Sequence, residues 1–147
     1  MDIDGESLIP LWSDPLNLEK NYSRNTFFWH YPFNVSVKNP DDGFPLTPHS
    51  AIRKGDYKLI FDWHGRLKLY NIREDLSETT NLAKIKPELT RELFSELISF
   101  LETNVEKRYW PVLNPDYNPA EEVRDAPFVD LYKAFKEGKD ILELAKQ

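Results

Sequence analysis

The chain has 147 residues, 40% hydrophobic and 30% charged, which fits one globular domain able to bury about 70% of its unfolded surface. A formal charge of −6 with scattered Lys and Arg excludes a nucleic-acid footprint and an anionic-membrane patch, and no apolar run approaches the roughly 18 residues of a membrane span. Zero cysteines exclude disulfides, thiolate metal sites and a Cys nucleophile within this chain.

The first stretch, "MDIDGESLIPLW", is acidic and lacks an apolar h-region, so it is not read as a signal peptide. Residues 1–24 read as a linker whose short apolar run, Leu8 to Trp12, is kept from a long helix by Pro10 and Pro15. "NTFFWHY", 25–31, predicts an aromatic strand that Pro32 stops. Residues 32–48 carry four prolines and Asp41-Asp42-Gly43, so a long loop is expected.

From Ser50 the pattern turns β. Ile52 falls in a short strand, and Lys54-Gly55-Asp56 predicts a turn. Tyr57, Leu59 and Phe61 then alternate with Lys58, Ile60 and Asp62. His64-Gly65 predicts the reversal, because glycine takes the positive φ of a tight hairpin. Leu67 and Leu69 alternate with Lys68 and Tyr70, which completes an antiparallel meander. Pro87 opens a helix whose Leu89, Leu93, Phe94, Leu97, Ile98, Leu101 and Val105 form one apolar stripe over about five turns. Such a stripe needs a partner, and the apolar face of the meander is the nearest one. The three prolines of "YWPVLNPDYNP", 109–119, rule out regular structure there. Residues 126–146 predict helix interrupted near Gly138. The expected class is α+β, an antiparallel meander packed on one long amphipathic helix with a C-terminal helical extension over 120–147.

No self-contained catalytic set emerges. His30, His49 and His64 form no HExxH and no close pair, so a metal site within this chain is not expected. There is no G-x-S-x-G elbow, no calcium-loop spacing and no phosphate-binding glycine loop. His30 lies between Trp29 and Tyr31, and strand alternation puts it on the face opposite those two rings. A lone strand histidine is more often packed than functional. The 14% aromatic content builds core first, although exposed rings also suit a sugar or a protein surface.

Several stretches, taken in order, resemble the C-terminal subdomain of the type I sulfatases, the arylsulfatase-like enzymes. They are "DGESLIPLW" (4–12), "RNTFFWHYP" (24–32), "AIRKGDYKLIF" (51–61), "LKLYNIREDLSETTNLA" (67–83) and "NPDYNP" (114–119). Coverage runs from about residue 2 to 119, with Leu76 standing where many relatives have proline. The resemblance implies about four antiparallel strands behind one long helix, docked on a large α/β catalytic domain and helping to wall its substrate pocket.

It also implies a chain that is inactive alone, with no catalytic and no metal-binding residue of its own. The family's formylglycine arises in a Cys/Ser-x-Pro-Ser/Ala-x-Arg motif, and Ser13-Asp14-Pro15 lacks the remainder. Formylglycine and calcium would belong to the parent enzyme, whose N-terminal domain is the implied partner. The implied substrate is a sulfated glycan or an aryl sulfate, and the parent is expected to be periplasmic or extracellular. Met1 suggests an isolated domain or a truncated reading frame. Trp29, His30 and Tyr31 are the expected substrate contacts. For His30, a bond to a substrate hydroxyl or sulfate and a packed strand-end role both stay open. Arg53, Asp56, Tyr57, Lys58 and Tyr70 are assigned to hairpin register, cross-strand pairing and docking. Self-association through the exposed docking face would be one consequence of isolation. The rival is a free-standing carbohydrate- or protein-binding module.

Overall fold

The computed structural model describes residues 7–14, 16, 24–33, 47–112, 115–116, 118 and 128–146. The interior of the expected 32–48 loop and most of 113–127 lie outside the described residues. A short helix, α1 (Ile9–Ser13), carries Pro10 in its first turn and is spent after five residues.

Four strands follow: β1 (Thr26–Tyr31), β2 (His49–Lys54), β3 (Tyr57–Asp62) and β4 (Arg66–Asn71). They pair antiparallel in the order β1-β2-β3-β4, the expected meander. Gly55 and Gly65 take φ of +59° and +102° at the two tight reversals. At Gly65 a Cβ would also sit 2.7 Å from the Val129 carbonyl oxygen, so that turn requires glycine both for its backbone and for the approach of the C-terminal segment.

The register aligns Phe28, Ile52, Leu59 and Leu69 in one cross-strand row, and His30, Ser50, Phe61 and Leu67 in the next. Period-2 alternation puts both rows on one face of the sheet. The helix α2 (Pro87–Asn104) covers that face with Leu93, Phe94, Leu97, Ile98 and Leu101, all buried. Phe94 meets Phe61 edge-on with centroids 5.1 Å apart, and Phe100 stacks flat on Phe28 at 3.9 Å. Each fully buried Leu, Ile or Phe contributes about 1.5–3 kcal/mol, so this interface is the main stabilising element. The stripe read from the sequence continues to Val105, but the helix ends one residue earlier, and Val105 is already extended.

A single 3₁₀ turn (Lys107–Tyr109) follows. The C-terminal segment forms α3 (Leu131–Lys136) and α4 (Ile141–Leu144), separated at Gly138 with φ +74° as the sequence predicts. Asp130 and Asp140 cap the two helices by accepting the Lys133 and Leu142 amides. Leu131, Ile141 and Leu142 join the core, and Arg91 of α2 pairs with Asp140. Among the described residues, no helix is long and apolar enough to cross a membrane.

Candidate functional site

β1 is an edge strand, and its alternation sorts its side chains cleanly. Phe28 and His30 turn toward α2. Phe27, Trp29 and Tyr31 occupy the other face, in rows with Arg53, Ala51 and His49. Phe27 stacks on Trp29 at 6.2 Å, and Tyr31 lies against both Phe33 (5.6 Å, edge-on) and the His49 ring (5.3 Å, stacked). Trp29 is 50% exposed and Phe33 63% exposed. Trp29 and Tyr31 therefore share one outward aromatic strip, whereas His30 points the other way.

His30 is held at both ring nitrogens. Its Nδ1 lies 2.8 Å from Ser50 Oγ, and its Nε2 lies 2.8 Å from the Tyr109 carbonyl oxygen. Ser50 is fully buried and also accepts the Trp63 indole N–H at 3.0 Å. Trp63 is packed between Phe61 (4.7 Å) and Trp110 (5.4 Å), with Tyr132 edging Trp110 at 5.1 Å. Lys107 Nζ sits 3.1 Å above the Trp110 ring, a cation–π contact that fixes the 3₁₀ turn bearing Tyr109. Tyr132 donates to Glu102 at 2.8 Å, and Lys136 pairs with the same carboxylate at 3.0 Å. Burial and the Glu102 bond raise the Tyr132 phenol above its ordinary value. Lys136 and then Tyr132 hold Glu102 below its own.

Sequence reasoning missed Ser50, Trp63 and Tyr109 as partners of His30. They stand 20, 33 and 79 residues away along the chain, and no local pattern connects them. His49 donates through Nδ1 to the Thr47 carbonyl, and the backbone N–H of His64 is taken by Asp62 within the turn. Lys58 pairs with Glu78, while Arg73 lies 3.6 Å from Asp56. Arg53 donates to the Gly55 carbonyl. Tyr70 is buried at 6% exposure on the outer face, where burial, then Glu78 and Asp75, raise its phenol. Lys58 and Asp56 thus pair with the segment that follows β4, and Arg53 bonds within its own hairpin.

Among the described residues, no three His, Cys, Asp or Glu side chains converge to hold a cation. An open pocket of 360 Å³, lined by Arg91, Phe135, Gly138, Lys139, Asp140 and Ile141, lies at the α3–α4 turn. Its two cations are already paired, Arg91 with Asp140 and Lys139 with Glu137.

The chain is similar in sequence to several sulfatases. No family model matches the chain. It is 30% identical over 87 residues to a sulfatase of Formosa agariphila, covering 58% of this chain and 15% of that protein. It is 25% identical to the uncharacterized sulfatase YdeN of Escherichia coli, covering 95% of this chain and 26% of that protein. An uncharacterized sulfatase of Schizosaccharomyces pombe is 35% identical over 52% of this chain and 15% of its own length. Among solved structures, BT4656 in complex with its substrate D-glucosamine-2-N,6-O-disulfate is 23% identical, with a TM-score of 0.48 over 69% of this chain and 20% of that one. The chain thus spans 15% to 26% of the length of these curated relatives. Over 52% to 95% of its own length it is similar in sequence to part of a sulfatase.

Proposed function

We propose that this domain is the C-terminal part of a longer sulfuric ester hydrolase and that its β1 edge walls the substrate pocket. The observation that carries this is its similarity to three curated sulfatases, each several times longer than the chain. The outward rings of Trp29 and Tyr31 suit stacking on a sugar or aryl ring. The Nε2–H of His30, on the opposite face, is already given to the Tyr109 carbonyl and reaches a ligand oxygen only in exchange for that bond. The substrate would be a sulfated glycan or an aryl sulfate.

The described residues do not fit a calcium site, and the sequence holds no complete Cys/Ser-x-Pro-Ser/Ala-x-Arg motif. Calcium and formylglycine are therefore assigned to the rest of the enzyme, which would be exported, and no hydrolytic step is derived from these residues. The purified 147-residue chain, incubated with a chromogenic aryl sulfate and calcium, should give no turnover. Sustained turnover that survives repurification would overturn the assignment of catalysis to the remainder of the protein.

A further inference from the structure

With a neutral His30 ring, the bonds around it fit one arrangement of protons. A carbonyl oxygen only accepts, so the 2.8 Å contact with Tyr109 requires the proton on Nε2. An indole N–H only donates, so Ser50 Oγ must accept from Trp63. In the neutral ring Nδ1 then carries a lone pair, and the one hydroxyl proton of Ser50 satisfies it. Ser50 is fully buried, so turning that proton elsewhere would leave a polar hydrogen without a partner. The donors run in a single direction, from Trp63 to Ser50 to His30 to the Tyr109 carbonyl.

We infer that Ser50, backed by Trp63, is a positioning residue that presets His30 as an Nε2–H donor at the β1 edge. His30 then recognises an acceptor oxygen and does not serve as a base at Nε2. An incoming oxygen takes its proton only by displacing the Tyr109 carbonyl, so a ligand rich in acceptor oxygens is selected over one that presents donors. The inference deepens the pocket-wall reading and rests on it for the identity of the ligand, whereas the proton arrangement is a property of the domain alone.

The ¹⁵N-labelled chain at neutral pH, read by long-range imidazole ¹H–¹⁵N correlations, tests the arrangement without any substrate. His30 should show the Nε2–H tautomer. Ser50→Ala should speed solvent exchange of that ring proton by about tenfold, the loss of roughly one hydrogen bond. Ser50→Thr keeps the hydroxyl and should restore exchange to within about twofold of wild type. An Nδ1–H tautomer in the wild-type chain overturns the inference, and so does unchanged ring-proton exchange in Ser50→Ala. Should Ser50→Ala fail to fold, Ser50→Cys, whose thiol is a weaker donor, should also speed exchange, and unchanged exchange there overturns the inference. Failure of the longer protein to hydrolyse sulfate esters would sink the proposed function and leave this result untouched.

Discussion

The two edges of the sheet are finished in opposite ways. Beyond β4, the chain covers its own edge. Asn81 Oδ1 accepts the Leu69 amide at 3.0 Å, its Nδ2 donates to the Leu67 carbonyl at 3.2 Å, and the Leu82 amide donates to the Leu69 carbonyl at 2.7 Å. Further along, the Lys146 amide donates to the Gly65 carbonyl, and Lys146 forms an isolated parallel bridge with Arg66. Unpaired strand edges template unwanted pairing, and a self-supplied amide side chain blocks this with few residues. At β1 no strand among the described residues lies beyond the edge. The strand is held from behind instead, by Phe28 on Phe100 and by His30 on the 3₁₀ turn. One edge is closed for stability, and the other presents a rigid aromatic strip.

The largest expected effect breaks the closed edge. Asn81→Ala removes bonds to Leu69, Leu67 and Ala83 at once and should lower unfolding free energy by about 2–3 kcal/mol. Urea denaturation checks it. A change below about 0.5 kcal/mol would mean that the covering segment contributes nothing to the closed edge.

A smaller effect concerns the loop that delivers Asn81. Asp75 accepts the amides of Thr80 and Thr79, and these bonds hold its carboxyl below the ordinary 3.8. The sign follows from linkage: a lowered carboxylate value means that its contribution is present above 3.8 and is lost as pH falls through the folded value. Acid titration followed at the Thr79 and Thr80 amides should move both together below that pH, and Asp75→Asn should flatten the response. Amides that titrate instead between pH 5 and 7 would assign the loop to another group.

The smallest stability effect belongs to the open edge. Trp29 is half exposed, so Trp29→Ala should change the thermal midpoint of this domain by less than about 1 kcal/mol equivalent. In the longer protein the same substitution should lower kcat/KM by about tenfold through loss of ring stacking. A large stability loss with unchanged kcat/KM would make Trp29 a packing residue and erase the contrast between the two edges.

Most of the fold could be read along the chain because its signals are local. Alternation in 57–62, glycine at 55 and 65, and the stripe from Leu89 to Leu101 each fall within a few residues, and the meander and α2 formed where they pointed. The "NLA" run, 81–83, was recognisable only as a resemblance. The structure supplies its physical reason, since Asn81 substitutes for a missing strand. The alternation that sets His30 apart from Trp29 and Tyr31 was legible for the same local reason.

Sequence alone therefore determined the order of the strands and the long helix, the two glycine turns, the helix face and the split of β1 into inward and outward side chains, since all of these follow from local pattern. The short helix Ile9–Ser13 and the 3₁₀ turn Lys107–Tyr109 were not read from it. What His30 does with its two nitrogens was decided only by tertiary structure. Its partners Ser50 and Tyr109 come from β2 and from a 3₁₀ turn 79 residues away, and only packing of α2 and the Trp63–Trp110–Tyr132 cluster brings them together. Hydrogen bonds are directional over about 3 Å, so no pattern in the chain can announce a pairing that folding alone brings within reach.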